Sequence, residues 1–383
     1  MTENNNKVQE ELSHLADCDQ VRGETPDDIQ VRASQICADY LDGEWKNVKE
    51  NEIIVTRIKG GLSNQAYKCS LPDNVLSNGQ PKHVMLRLYG PKHLINFDEY
   101  FGTKHERLSD GVVGILVAEN NIGPKLYGLF PEGELQEFVD GREITAEDEA
   151  DPMFLKVVAT KLARFHYMKA PIKKNINVFL TMEKLYQDLQ KEDIQVIIKN
   201  LNLANLMKID FIKEINWLRD VIAKIDPPVV LNHNDYTKRN MLIKKEVVDP
   251  LDRVVIFDHE HASYGYRGRD MSRLFDLWNN KLYEQKPFPS DEVIVSFIEL
   301  YNQECVKLLG EKYSKSDRNS VERILKEIKV SHVCWNLSLG LLVMTSEPLT
   351  KEQTKEDMMH WSDRIVMEYL ANKERFREER VFQ

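Results

Sequence analysis

The most informative segment of the chain is LNHNDYTKRNMLI, Leu231–Ile243, placed directly after the apolar run Pro227-Pro228-Val229-Val230. An aspartate two places after a histidine, with an asparagine five places further on, is unusual at the end of a buried strand. A lone Asn-Asp pair is ordinarily a turn, in which both side chains satisfy local backbone groups. Here the turn belongs to a larger pattern. The chain continues through MLIKKEVVDPLDRVVIF to Asp258 and Glu260, and β-branched residues on either side of Asp249-Pro250 predict two short strands, Met241–Ile243 and Val254–Phe257, joined as a hairpin. The two open ends of a hairpin lie side by side, so Asp235, Asn240, Asp258 and Glu260 are expected to converge.

Convergent carboxylates and an amide oxygen suit a hard divalent cation, and Mg²⁺ takes one or two protein oxygens while leaving other positions to phosphates and water. A nucleoside triphosphate is the guest this predicts. His-x-Asp-x4-Asn followed by an apolar strand ending in Asp is the pattern of kinase-like phosphoryl transfer. In it Asp235 takes the proton of the acceptor hydroxyl, and Asn240 and Asp258 hold metal. His233 reads as a packed, hydrogen-bonded scaffold residue.

The rest of the chain fits a two-lobed α+β protein. VRASQICADYLDGEW has helical spacing, and NEIIVTRIKGGLSNQAYKCSL reads as strand, glycine turn, strand. HVMLRLYG is a further strand, LSDGVVGILVAENNIGP a helix stopped by Gly123 and Pro124, and ELQEFVDGREI a short strand entering a turn at Gly141. Beyond it helical patterns dominate, as in FLKVVATKLARFHYM and FIKEINWLRDVIAKI. The expected division is a mobile polar extension over 1–30, a small β-rich nucleotide-binding lobe over 31–140, and a larger helical lobe over 141–383 carrying catalysis and acceptor binding. In KGGLSN, glycines 60 and 61 let backbone N–H groups approach phosphates, and Ser63 or Asn64 adds donors, although glycine pairs are common in hairpin turns. Arg87 lies on the strand where a phosphate-pairing cation belongs in kinase-like folds; a surface arginine on an edge strand reads the same way.

Composition narrows the partners. A formal net charge of −10 and a pI near 5.6 over 383 residues argue against nucleic acid. Five scattered cysteines without a CxxC pair fit a reducing compartment, and no eighteen-residue apolar run or signal peptide is visible, so a cytoplasmic protein without a membrane span is expected.

Taken together, IKGGLSN, MLRLYG, IGPKLYGLFPEG, LNHNDYTKRNMLI, IFDHEHASYGYRGRD and SHVCWNLS resemble, in order and spacing, the choline/ethanolamine kinase family over roughly residues 30–370. The resemblance implies a two-lobed protein-kinase-like fold, ATP with Mg²⁺, and phosphorylation of a small amino alcohol in the first step of phospholipid head-group synthesis. It implies a homodimer, Asp235 as base, Asn240 and Asp258 as metal ligands, and Glu260 as a further acid there. It also implies phosphate contacts from Gly60, Gly61, Ser63, Asn64 and Arg87, and a lobe connection beside the adenine from Gln136 to Val139. Departures gather where the family binds its alcohol. His261 stands where an aromatic is usual, Leu277 replaces an acid, and Trp335 keeps the first member of a W-x-x-W pair whose second is Ser338. An ammonium head is held by ring faces and carboxylates, so these four acceptor-pocket positions leave two alternatives: a kinase of the same fold for another small alcohol, or a non-catalytic nucleotide- or partner-binding relative. Asp270 reads as the N-cap of MSRLFDLWNNKLY.

Overall fold

In the computed structural model, residues 24–59, 64–89, 107–190, 192–278, 288–346, 348 and 353–383 are described. The chain forms two compact units: one takes in 24–89 and Val117–Asp140, the other 107–116, Gly141–Pro348 and Gln353–Gln383.

The first unit is a helix on a sheet. Helix α1 (Ile29–Tyr40) precedes β1 (Ile54–Ile58), β2 (Asn64–Ser70) and β3 (His83–Tyr89); after α2 (Arg107–Glu119) come β4 (Leu126–Phe130) and β5 (Gly133–Glu137). The strands are antiparallel in the order β1-β2-β3-β5-β4. The two strands expected on either side of the glycines pair as β1 and β2, with Ile58 opposite Ala66, while Gly60, Gly61 and Ser63 lie outside the described residues. Alternation in β3 turns Val84, Leu86 and Leu88 inward, where they join Ala33 and Cys37 of α1, Tyr67 and Leu135 in one core. Because β3 runs between β2 and β5, Arg87 is on an interior strand, and the edge-strand reading does not hold.

The second unit is mostly helical. Besides short helices at Ala146–Glu149 and Ala204–Lys208, its elements are β6 (Gly141–Arg142), α3 (Pro152–Tyr167), α4 (Val178–Asp188), α5 (Glu192–Asn200), α6 (Phe211–Ile225), β7 (Val229–Asn232), β8 (Met241–Lys244), β9 (Val254–Ile256), β10 (Ser263–Tyr266), α7 (Gly268–Asp276), α8 (Asp291–Leu309), α9 (Val321–Thr345) and α10 (Lys355–Glu378). Helix α3 opens on a built start signal: Asp151 accepts a hydrogen bond from Met153 N, and Pro152 sits in the first turn, where its missing N–H costs nothing. It is buried on nearly every face and packs on α8, while α9 packs on α10, α7 and α8. Helix α9 is long and apolar enough to cross a membrane, but 83% of its most apolar window is buried inside the fold, so its apolar faces are already covered as those of a core helix are. The expected hairpin is β8–β9, with β6 added as a third strand along β8.

Candidate active site

The loop after β7 is held by groups remote in sequence. Leu231 and Asn232 are fully buried, and β10 pairs antiparallel with β7, setting Ser263 opposite Asn232. Asn234 then adopts a left-handed backbone, φ +67°, which asparagine tolerates better than most residues. Its Nδ2 donates to His261 O (2.7 Å) and Ser263 Oγ (2.8 Å). Asp270 is not an N-cap: α7 starts at Gly268, and the Asp270 carboxylate, fully buried, accepts from the backbone N–H of His233 (2.6 Å) and of Asn234 (2.7 Å), with His166 Nε2 at 3.3 Å. A buried carboxylate with two backbone donors is a strong, directional anchor. His233 is the scaffold residue expected of it, with its ring buried and Nε2 3.1 Å from Phe257 O.

Past the loop, a single 3₁₀ turn over Lys238–Asn240 brings Asn240 back onto Asp235. Asn240 Nδ2 donates to Asp235 O (2.9 Å) and to Asp235 Oδ2 (2.7 Å). Asn240 O in turn accepts from Phe257 N (3.0 Å), and Met241 pairs with Ile256. Asp258, the next residue, leaves the hairpin with φ +62°. The backbone thus sets Asn240 and Asp258 beside each other, with Asp235 bonded to the first. With its Nδ2 used on Asp235, Asn240 has its amide oxygen left to offer. Together with the Asp258 carboxylate that makes a hard oxygen donor set, the kind and number of protein ligands that suit Mg²⁺. Glu260 lies two residues further on, its Oε1 3.9 Å from His261 Nε2.

On its other side, Asp235 is linked to the positions expected to line the acceptor pocket. Arg273 Nη2 donates to Asp235 Oδ1 (2.9 Å) and Nη1 to Asp276 Oδ2 (2.7 Å); Asp276 Oδ1 also takes His332 Nδ1 (2.6 Å). Burial would raise the Asp235 carboxyl, but Arg273 and Arg239 outweigh it and hold it well below the usual carboxylate range. At Asp276, burial is likewise outweighed by His332 and Arg273, so its carboxyl too is lowered. The Trp335 ring has the guanidinium carbons of Arg269 and Arg273 at 4.2 and 4.3 Å from its centroid. Ser338, one turn further along α9, is buried and donates to Cys334 O (2.8 Å). Leu277 closes α7 as its C-cap, and Trp278 packs on Phe154 and Phe275.

Among the predicted residues, the structure therefore joins Asp235 to Asn240 directly, Asp258 to them through the hairpin, and Trp335 to Asp235 through Arg273. Sequence reasoning passes over Arg269, Arg273 and the tether from Asp270. The signal available was the spacing of Arg269 and Arg273, four apart on one helical face, with Asp276 three beyond. In the first unit, Asn64 opens β2 opposite Tyr89, Gln136 is buried in β5 opposite Met85, and Val139 is half-buried beyond β5. Arg87 pairs with Glu134, itself buried, at 3.2 Å.

A small antiparallel sheet unit and a mainly helical unit bearing an Asp-Asn-Asp site define a protein-kinase-like phosphotransferase. The chain belongs to the choline/ethanolamine kinase family, whose sequence profile matches residues 55–368. It is 34% identical over 325 residues to a choline/ethanolamine kinase of Rattus norvegicus, covering 81% of this chain and 79% of the relative. It is 24% identical over 315 residues to a probable ethanolamine kinase A of Dictyostelium discoideum, covering 81% and 84%. In fold it is similar to a choline kinase from Cryptosporidium parvum, with TM-score 0.67 at 19% identity, covering 92% of this chain and 97% of the other. A Plasmodium vivax ethanolamine kinase gives TM-score 0.59 at 20% identity, covering 92% of each.

Proposed function

We propose that the chain is a Mg²⁺- and ATP-dependent kinase that phosphorylates the hydroxyl of choline or ethanolamine. The observation that carries this is the fixed contact of Asp235 with Asn240, and of Asn240 with the strand that delivers Asp258. Asp235 receives the acceptor's hydroxyl proton as the oxygen bonds to the γ-phosphorus and the bond to ADP breaks. Its depressed basicity fits a group that orients the hydroxyl and takes the proton late. Asn240 and Asp258, with Glu260 nearby, would hold Mg²⁺, whose charge offsets that of the phosphates. In the sheet unit, Gly60, Gly61, Ser63, Asn64 and Arg87 are assigned to phosphates, and Gln136 to Val139 to the adenine. A cytoplasmic homodimer completes the reading; the buried free thiols of Cys37, Cys69, Cys305 and Cys334 suit a reducing compartment.

The acceptor pocket supports a second reading, a kinase of the same fold for another small alcohol. The ring that would face an ammonium already carries two guanidinium groups, Leu277 brings no charge, and the Ser338 hydroxyl is committed to its own helix. A panel of choline, ethanolamine, their methylated relatives and unrelated amino alcohols, followed by alcohol-dependent ADP release, separates the readings. Turnover of choline or ethanolamine is expected. Turnover of a different alcohol alone moves the assignment to the second reading.

A further inference from the structure

Arg269 and Arg273 lie side by side over the Trp335 ring. Arg273 shares Asp276 with His332, and its Nε is buried with no acceptor. Arg269 touches the Trp335 ring and has no carboxylate partner among the described residues. Burial, and then the like charge of Arg273, push the Arg269 guanidinium down to about 10 against the opposing pull of Asp270 and Asp276, neither of which it pairs with directly. Guanidinium forks with spare donors recognise carboxylates and phosphates, and stacking on an indole keeps them flat and in place.

We propose that Arg269 and Arg273 form an anion site beside Asp235 that takes the phosphoryl group once it has been transferred, as the phosphate of the phosphomonoester product. The proposal rests on the kinase reading above and adds a product site to it. An acceptor hydroxyl in reach of Asp235 lies about 2.6–3.2 Å from that carboxylate, and Arg273 Nη2 already sits 2.9 Å from its Oδ1. During transfer the acceptor oxygen–phosphorus bond forms, the phosphorus–oxygen bond to ADP breaks, and the hydroxyl proton passes to Asp235. An ester of about −1.5 to −2 charge thereby appears next to Arg273. Arg273, held by Asp235, and Arg269 beside it would then face the phosphate. An ammonium on the alcohol has no use for these two cations, whereas its phosphate does.

The test is calorimetric titration of wild type, Arg269→Gln and Arg269→Lys with the phosphomonoesters of choline and ethanolamine, and with inorganic phosphate. The acceptor KM is measured beside it. Arg269 has no ion pair to orphan, and Arg269→Lys, which keeps a cation over Trp335, controls for the lost ring contact, with melting of each variant read beside the titrations. A charge-assisted contact of this kind is worth roughly tenfold or more in affinity. Arg269→Gln should therefore weaken phosphomonoester binding about tenfold without raising the acceptor KM, since it removes a cation from the ring that would face the alcohol's ammonium, with Arg269→Lys between. Unchanged phosphomonoester binding in Arg269→Gln overturns the site, as does absence of binding to wild type. Equal rises in phosphomonoester Kd and acceptor KM also overturn it, because the arginines would then be reading the alcohol. Failure of the kinase reading is separate: wild type would release no ADP with any alcohol, whatever the titrations show.

Discussion

At the level of single residues, the site depends on side chains that satisfy backbone groups in unusual conformations. Asn234 and Asp258 both have positive φ, and each stands at an end of the segment that carries Asn240. Asp270 ties the first of these bends by accepting two backbone N–H bonds. Replacing it with alanine leaves both donors buried without a partner, so Asp270→Ala should cost roughly 2–5 kcal/mol and most of the activity. Urea unfolding measures this; a loss below about 0.5 kcal/mol would show that the loop holds itself. Asp235, Asn240 and Asp258 were legible in the sequence because their spacing is local and the hairpin between them has clear turn chemistry. Asp270 was not, since its partners are 36 and 37 residues away and a polar residue near a helix start reads first as a cap. Arg269 and Arg273 were hidden for a related reason: nothing in a helical repeat says which ring or acid the face will meet.

Among the elements, α7 can bring its arginines to Trp335 because it lies close against α9. Gly268 permits this approach: a Cβ there would stand 2.5 Å from Glu327 O and 2.7 Å from Ser331 Oγ. Backbone cannot step aside as a flexible side chain can, so Gly268→Ala should destabilise by roughly 1–3 kcal/mol through overpacking. It should also weaken the arginine–tryptophan contact, visible as a change in Trp335 fluorescence. A wild-type urea midpoint would refute the close approach. Long elements were legible from their periods: α3, α6, β2 and β3 all fall where the pattern placed them. The strands β4, β6 and β10 went unread. Each has only two to five residues, too few for alternation to show, and each is defined by its partner strand.

For the molecule as a whole, the acidic average, which argues against nucleic acid as a partner, gives no sign of the guanidinium groups gathered at the loop that carries Asp235. Average charge is a statement about surfaces, and these groups are wholly or half-buried. Stability should carry a matching pH signature. His166 is buried, and burial lowers its pKa below the ordinary 6.5 in spite of Asp270 beside it. Its proton is therefore taken up more readily by the unfolded chain, so stability is full above about pH 6.5 and falls as the pH drops below it. Asp235 and Asp276 are lowered carboxylates, and their contribution is lost further down, as the pH falls below 3.8. Urea unfolding between pH 8 and 5 should show the first decline, and His166→Gln should flatten it; a slope that survives the substitution would assign it elsewhere.

In the proposed reaction, Asp235 receives the hydroxyl proton when phosphate passes from ATP to choline or ethanolamine. Phosphorus NMR of wild type and Asp235→Asn, each with Mg²⁺, ATP and the alcohol, reads that transfer directly. In wild type a phosphomonoester signal should grow in step with ADP, and in folded Asp235→Asn the rate should be roughly a thousandfold lower, within the usual range for loss of a general base. A variant that makes the ester at the wild-type rate would disprove this role, and so would wild type that releases ADP equally with and without alcohol.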